Sequence, residues 1–127
     1  MSKLFICVSK PPAYPSEGDF AIEPHVYIKA IKERWSDVIV AFSDGDLYTL
    51  SWDDAPTWGG LQSNQKVVSF EAAEVNDIIE YSLWYRSLIP DIQPLFLFDD
   101  NLTFTFELKS STTVEELFQL FKQHEWI

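Results

Sequence analysis

The chain of 127 residues contains one cysteine, so no internal disulfide can staple it, and Cys7 reads as a small buried hydrophobe. Its two histidines, His25 and His124, lie far apart and offer no zinc-ligand spacing. They are also the only imidazole bases that could activate a serine or cysteine, and neither stands in a catalytic motif, so both read as solvated side chains. Glycine is scarce, and the one Gly-Gly pair, Gly59-Gly60, lacks both the spacing and the Lys-Ser/Thr end of a phosphate loop. No apolar run approaches the ~20 residues of a membrane helix. The amino terminus shows no basic segment followed by an apolar stretch and a cleavage site, so the cytoplasm is the expected compartment.

Positive charge is scarce as well. Nine Lys and Arg face 20 Asp and Glu, a formal net charge of -11. Such a surface repels phosphate, which argues against nucleic acid and anionic membrane as partners and makes a basic protein the electrostatic complement. The same charge also keeps a small aromatic-rich protein in solution. What the chain has in abundance is apolar mass: 46% hydrophobic and 16% aromatic residues, far above a disordered composition. One domain spanning residues 1–127 with a real core follows.

Taken in order, Leu4 to Val8 is rich in β-branched and aromatic residues and reads as a strand. Pro11, Pro12 and Pro15 then force a surface loop that offers Tyr14. Pro24 suits the first turn of a helix, and Tyr27, Ile28, Ile31 and Trp35 supply one apolar stripe, with Lys32 and Arg34 placed where positive charge suits the helix dipole. Val38 to Phe42 and Leu47 to Trp52 flank Asp44-Gly45 as a hairpin. Asp53, Asp54, Pro56, Trp58, Gly59 and Gly60 read as a break, followed by a short strand at Leu61 and its antiparallel partner Lys66 to Phe70. The next helix runs from Ala73 to Ile89 and stops at Pro90. Leu95 to Phe98 and Leu102 to Leu108 make a second hairpin across Asp99-Asp100-Asn101. Thr112 or Thr113 caps a last helix to Lys122, each with a glutamate three residues on. The expected fold is α+β: a mostly antiparallel sheet of about five or six strands with three helices chiefly on one side, and a strand-helix-strand-strand order that occurs twice.

The Ala73 to Ile89 helix is the unusual element. Val75, Ile78, Ile79, Ser82, Leu83, Tyr85 and Ile89 share one sector, Arg86 falls inside it, and Tyr81, Trp84 and Leu88 lie toward the other side. A helix apolar on two sides is covered twice, by its own chain or by a second copy, which makes a homodimer one reading of the sequence. A guanidinium in an apolar sector requires a carboxylate or several carbonyls, or else it clamps an anionic ligand.

The block Tyr81-Ser82-Leu83-Trp84-Tyr85-Arg86-Ser87-Leu88-Ile89-Pro90, followed by Leu95-Phe96-Leu97-Phe98-Asp99-Asp100 and Thr112-Thr113-Val114-Glu115-Glu116, resembles small bacterial proteins of unassigned function with an A-x-W-[FY]-R-S-x-x-P…L-x-[FL]-x-D pattern. Trp58-Gly59-Gly60-Leu61-Gln62 resembles a glycine-containing segment that precedes the pattern there. Ser82 stands where those proteins have Ala, and Asp100 where Glu is common. The resemblance covers the carboxy-terminal half and implies no activity, catalytic residue, cofactor or metal. By type, small size, acidity and aromatic richness are similar to immunity proteins that neutralise bacterial toxins. The sequence therefore points away from an enzyme and toward a non-catalytic, acidic protein-binding module of the immunity-inhibitor kind. The alternatives are a small-ligand binder or enzyme with a pocket at Arg86, and a self-assembling structural subunit. The ligand- or partner-contacting residues expected on these readings are Arg86, Trp84, Tyr81, Trp58, Gly59, Gly60, Asp53 and Asp54.

Overall fold

The computed structural model describes residues 3–36, 38–43, 47–52, 57–72 and 74–126; the side chains of residues 39–58 are outside that description. The element order is β1 (Leu4–Cys7), α1 (Pro24–Arg34), β2 (Val38–Ser43), β3 (Leu47–Trp52), β4 (Thr57–Gln62), β5 (Val67–Ala72), α2 (Val75–Leu88), β6 (Leu95–Asp99), β7 (Thr105–Leu108) and α3 (Val114–Gln123). The fold is α+β, with three helices on one antiparallel sheet. That sheet has seven strands in the order β2-β3-β4-β5-β1-β6-β7, and every neighbouring pair runs antiparallel.

The strand-helix-strand-strand order does occur twice, as β1-α1-β2-β3 and β5-α2-β6-β7, with β1 and β5 paired at the middle of the sheet. The two halves differ in path. The first re-enters at the sheet edge through β2, whereas the second re-enters beside β1 through β6.

Register sorts the side chains onto two faces. Leu4 pairs with Phe70 and Asp99, and Ile6 pairs with Val68 and Leu97, so these residues share one face. All are buried, together with Leu61, Ala72, Leu95 and Leu108. The helices cover this face. Tyr81 of α2 lies on Phe70 with ring centroids 4.4 Å apart, α1 reaches α2 through Tyr27, and α3 sends Phe121 onto Phe104 at 5.7 Å. Leu117 and Phe121 are the buried stripe of α3, whose amino end is held by a capping box between Thr113 and Glu116. Thr113 is thus the cap among the two threonines that the sequence offered. Pro24 opens α1 at its first turn, as expected.

Two local readings change. Gly59 and Gly60 are not a loop but the middle of β4, where Gly59 pairs with Phe70 and Gly60 with Ser69. A Cβ on Gly59 would stand 2.2 Å from the Ser69 carbonyl oxygen and 2.7 Å from the Phe70 Cα, so the glycine is there for close approach of two backbones. The strand expected from Leu102 begins only at Thr105. Buried Asp99 accepts hydrogen bonds from the backbone N–H of Thr103 at 2.7 Å and from its hydroxyl at 2.5 Å. That local capture competes with the sheet ladder, and Leu102 takes a positive φ of 53° to turn the chain.

Candidate functional site

The helical layer is organised by aromatic rings from α1 and α2. Tyr27 and Tyr81 are fully buried, and their hydroxyls share a hydrogen bond of 2.5 Å. Tyr85 lies 6.1 Å from Tyr27, and Trp84 lies 5.1 Å from Trp35 and 5.8 Å from Tyr27. Burial pushes all three tyrosine hydroxyls well above their ordinary pKa, because a phenolate would be stranded away from water; for Tyr27 the neighbouring Tyr81 raises it further. The side of α2 that carries Tyr81 is therefore covered by this chain's own helix α1.

Between the helices a groove of about 510 Å³ remains open, with Ile79, Leu83 and Trp84 of α2 and the exposed Val114 of α3 as its apolar lining. Arg34 and Glu80 line it as well, and they form an ion pair there. Along the first turns of α2 stand Glu74, Asp77 and Glu80. The Asp77 carboxyl titrates above the usual carboxylate range, because it is partly desolvated and because Glu80 and Glu74 repel its charge. Glu115 and Glu116 follow Val114 in the first turn of α3. Apolar lining beside a run of carboxylates is suited to an apolar side chain carried on a basic segment.

Arg86 is buried, 3% exposed, and bonded to carbonyls rather than to a carboxylate. Its two terminal nitrogens donate to Gln93 O at 2.8 Å, Leu108 O at 3.3 Å, Ile89 O at 3.3 Å and Pro90 O at 2.7 Å. Four of the five N–H donors are thereby committed, and Nε has no partner among the described residues. The side chain ties the end of α2 to the β6 approach and to β7. Gln93 extends the brace, accepting from Phe20 N at 3.0 Å and donating to Val8 O at 3.3 Å. Burial lowers the guanidinium pKa, while nearby Asp91 and Glu107 favour its charge. The same two carboxylates line the hollow beside Arg86, together with Lys109, and Arg86 itself has already committed its terminal nitrogens to carbonyls.

A third concave surface is on the other face of the sheet. Phe5, Cys7, Val67 and Phe98 floor a hollow of about 320 Å³ beneath the Pro11–Pro15 loop. Phe5 stacks on Phe98 at 5.4 Å, and the Cys7 thiol is 3.3 Å from the Ser9 hydroxyl. The sequence offered the loop and Tyr14, but not the sheet surface beneath them. The available signal was apolar residues on both faces of one strand, Leu4 and Ile6 against Phe5 and Cys7, and Leu95 and Leu97 against Phe96 and Phe98.

The residues expected at a site are thus dispersed. Tyr81 is in the core, Trp84 is half-buried at the groove, Arg86 is an internal brace, and Gly59 and Gly60 shape β4 behind Phe70. Asp53, Asp54 and the Trp58 side chain lie outside the described residues, as does the Asp44-Gly45-Asp46 turn. Among the described residues no group of His, Cys, Asp and Glu is placed to hold a metal ion, and no helix is long and apolar enough to cross a membrane. His25 is exposed, 3.8 Å from Glu23, and His124 packs on the Phe104 ring at 5.4 Å. Comparison with protein-family models, with curated proteins and with solved structures returned no match.

Proposed function

We propose that this protein is a non-catalytic, acidic protein-binding module, an inhibitor of the immunity type, that takes a basic partner in the groove between α2 and α3. The observation that carries the reading is an apolar lining (Ile79, Leu83, Trp84 and Val114) beside Glu80, which lines the groove in an ion pair with Arg34, with Asp77 and Glu74 preceding it along α2. Partial desolvation raises the Asp77 pKa, and the charges of Glu80 and Glu74 raise it further, so a lysine or arginine brought beside Asp77 relieves a repulsion already present in the free protein. Trp84 gives the groove a large amphipathic ring, a residue type that concentrates binding energy at interfaces. The net charge of -11 adds long-range steering of a basic partner.

The test is selection of a binding partner followed by calorimetric titration of the wild type and of Val114→Arg. Val114 is 58% exposed, so the substitution blocks and charges the groove without touching the core. The expected result is at least a tenfold loss of affinity, together with weakening of wild-type binding as salt rises toward about 0.3 M. A partner that binds Val114→Arg as well as wild type, with no salt dependence, overturns the reading.

A further inference from the structure

We propose that the hollow on the helix-free face of the sheet is a contact between two copies of this chain, each inserting Tyr14 into the hollow of the other. The occupant is decided by charge. Two bodies that each carry a net charge of -11 repel one another over most of their surfaces. Yet none of the twelve residues lining this hollow is Asp, Glu, Lys or Arg, in a chain where those types are 23% of the sequence. Of the charged residues that immediately flank the lining along the chain, Lys10 and Lys66 are cations, and Asp99 is buried on the opposite, helix-covered face; Lys66 is tied to the Ser16 carbonyl. A second copy therefore meets no like charge in the hollow itself, whereas it does over the rest of the surface.

The knob beside the hole is Tyr14, whose side chain is 92% exposed at the edge of the hollow. Its loop is already braced: Ala13 N donates to Lys10 O at 3.0 Å, the Ser9 hydroxyl donates to Ala13 O at 2.9 Å, and Asp19 accepts from Ser16 N at 2.8 Å. Pro12 and Pro15 restrict the backbone on either side, so docking the ring orders little new chain. A hollow of about 320 Å³ floored by Phe5, Val67 and Phe98 accommodates one aromatic ring. Because knob and hole belong to the same patch, a two-fold axis lets both fill at once, which closes a dimer instead of propagating a fibre. The contact is small, so the association is weak and reversible.

Sedimentation equilibrium on the full chain between about 10 μM and about 1 mM tests this, with wild type, Tyr14→Ala, Asn64→Asp and Val114→Arg compared. The expected result is a wild-type dimer that tightens as salt screens the net charge. Tyr14→Ala, at an exposed position, weakens it at least tenfold. Asn64→Asp, which is isosteric and retains the oxygen that accepts from Lys66 N, weakens it at low salt by placing a like charge in each hollow. Val114→Arg leaves the dimer unchanged, which separates this contact from the groove between α2 and α3. A wild type that stays monomeric throughout, a dimer indifferent to Tyr14→Ala, or a dimer abolished by Val114→Arg overturns the proposal.

Discussion

Both faces of the one sheet carry apolar side chains, but only one of them is a core. On the helix side Leu4, Ile6, Val68, Phe70, Leu95 and Leu97 are at most 1% exposed, roofed by rings and aliphatic side chains from three helices. On the far side Phe5, Phe96 and Phe98 are half-buried, and the proline-rich loop over Phe5 and Phe98 leaves a hollow. The same residue types, on alternate positions of the same strands, therefore do different work. Burial by a packed layer converts apolar area into stability, whereas half-cover leaves area whose hydrophobic free energy is still available to a partner.

The sharpest way to break this contrast is to truncate the same residue on each face. Phe70→Ala opens a cavity under Tyr81 and is expected to cost about 4 kcal/mol, against about 1 kcal/mol for Phe98→Ala, read as chemical-denaturation midpoints with unchanged slopes. Equal losses would mean that both faces are core.

Alkaline titration probes the helical side alone. Tyr27, Tyr81 and Tyr85 have raised pKa values in the folded protein, so the folded state holds protons that the unfolded chain releases near pH 10. Their contribution is complete below about pH 10 and is lost above it, by about 1.4 kcal/mol per pH unit for each tyrosine that stays protonated. Stability measured from pH 8 to 12 should stay flat and then fall steeply, and Tyr81→Phe should reduce the slope. A slope that Tyr81→Phe leaves unchanged would place the linked groups elsewhere.

Arg86→Met leaves the Ile89, Pro90, Gln93 and Leu108 carbonyls without their donor. A loss of about 3 kcal/mol is expected by thermal or urea unfolding, with Arg86→Lys recovering only part of it, since an ammonium cannot span four acceptors in a plane. Full recovery by lysine would show that charge, not the fork, is what matters. Gly59→Ala forces β4 and β5 apart where Phe70 supports Tyr81, and about 2 kcal/mol is the expected cost. An alanine tolerated without loss at this position would show that the strands separate freely.

Much of the architecture was legible along the chain. Pro24, the Thr113-to-Glu116 spacing and Pro90 mark helix ends by chemistry that acts within one turn, and α1, α2 and α3 stand where those signals put them. Arg86 in the apolar sector of α2 was legible as a residue needing partners, but its acceptors come from residues 89, 90, 93 and 108, and the last is brought near by the sheet. The Leu102 to Leu108 alternation suggested a longer strand than exists, because Asp99 holds the N–H and hydroxyl of Thr103. Gly59-Gly60 suggested a loop because glycine weakens isolated strands, and its tertiary reason is the nearness of the Phe70 backbone.

The sequence by itself determined that this is an acidic, aromatic-rich α+β domain without metal-ligand spacing, and where most of its helices start and stop. Those properties follow from composition and from interactions between residues a few positions apart. The tertiary structure alone decided which apolar face of the sheet became the core, that Tyr81 and Arg86 are internal while Trp84 borders a groove, and that a hollow opens beside Tyr14. Alternation assigns residues to two faces, but which face the helices cover depends on where the crossovers α1 and α2 run over the sheet, a long-range choice that no local pattern records.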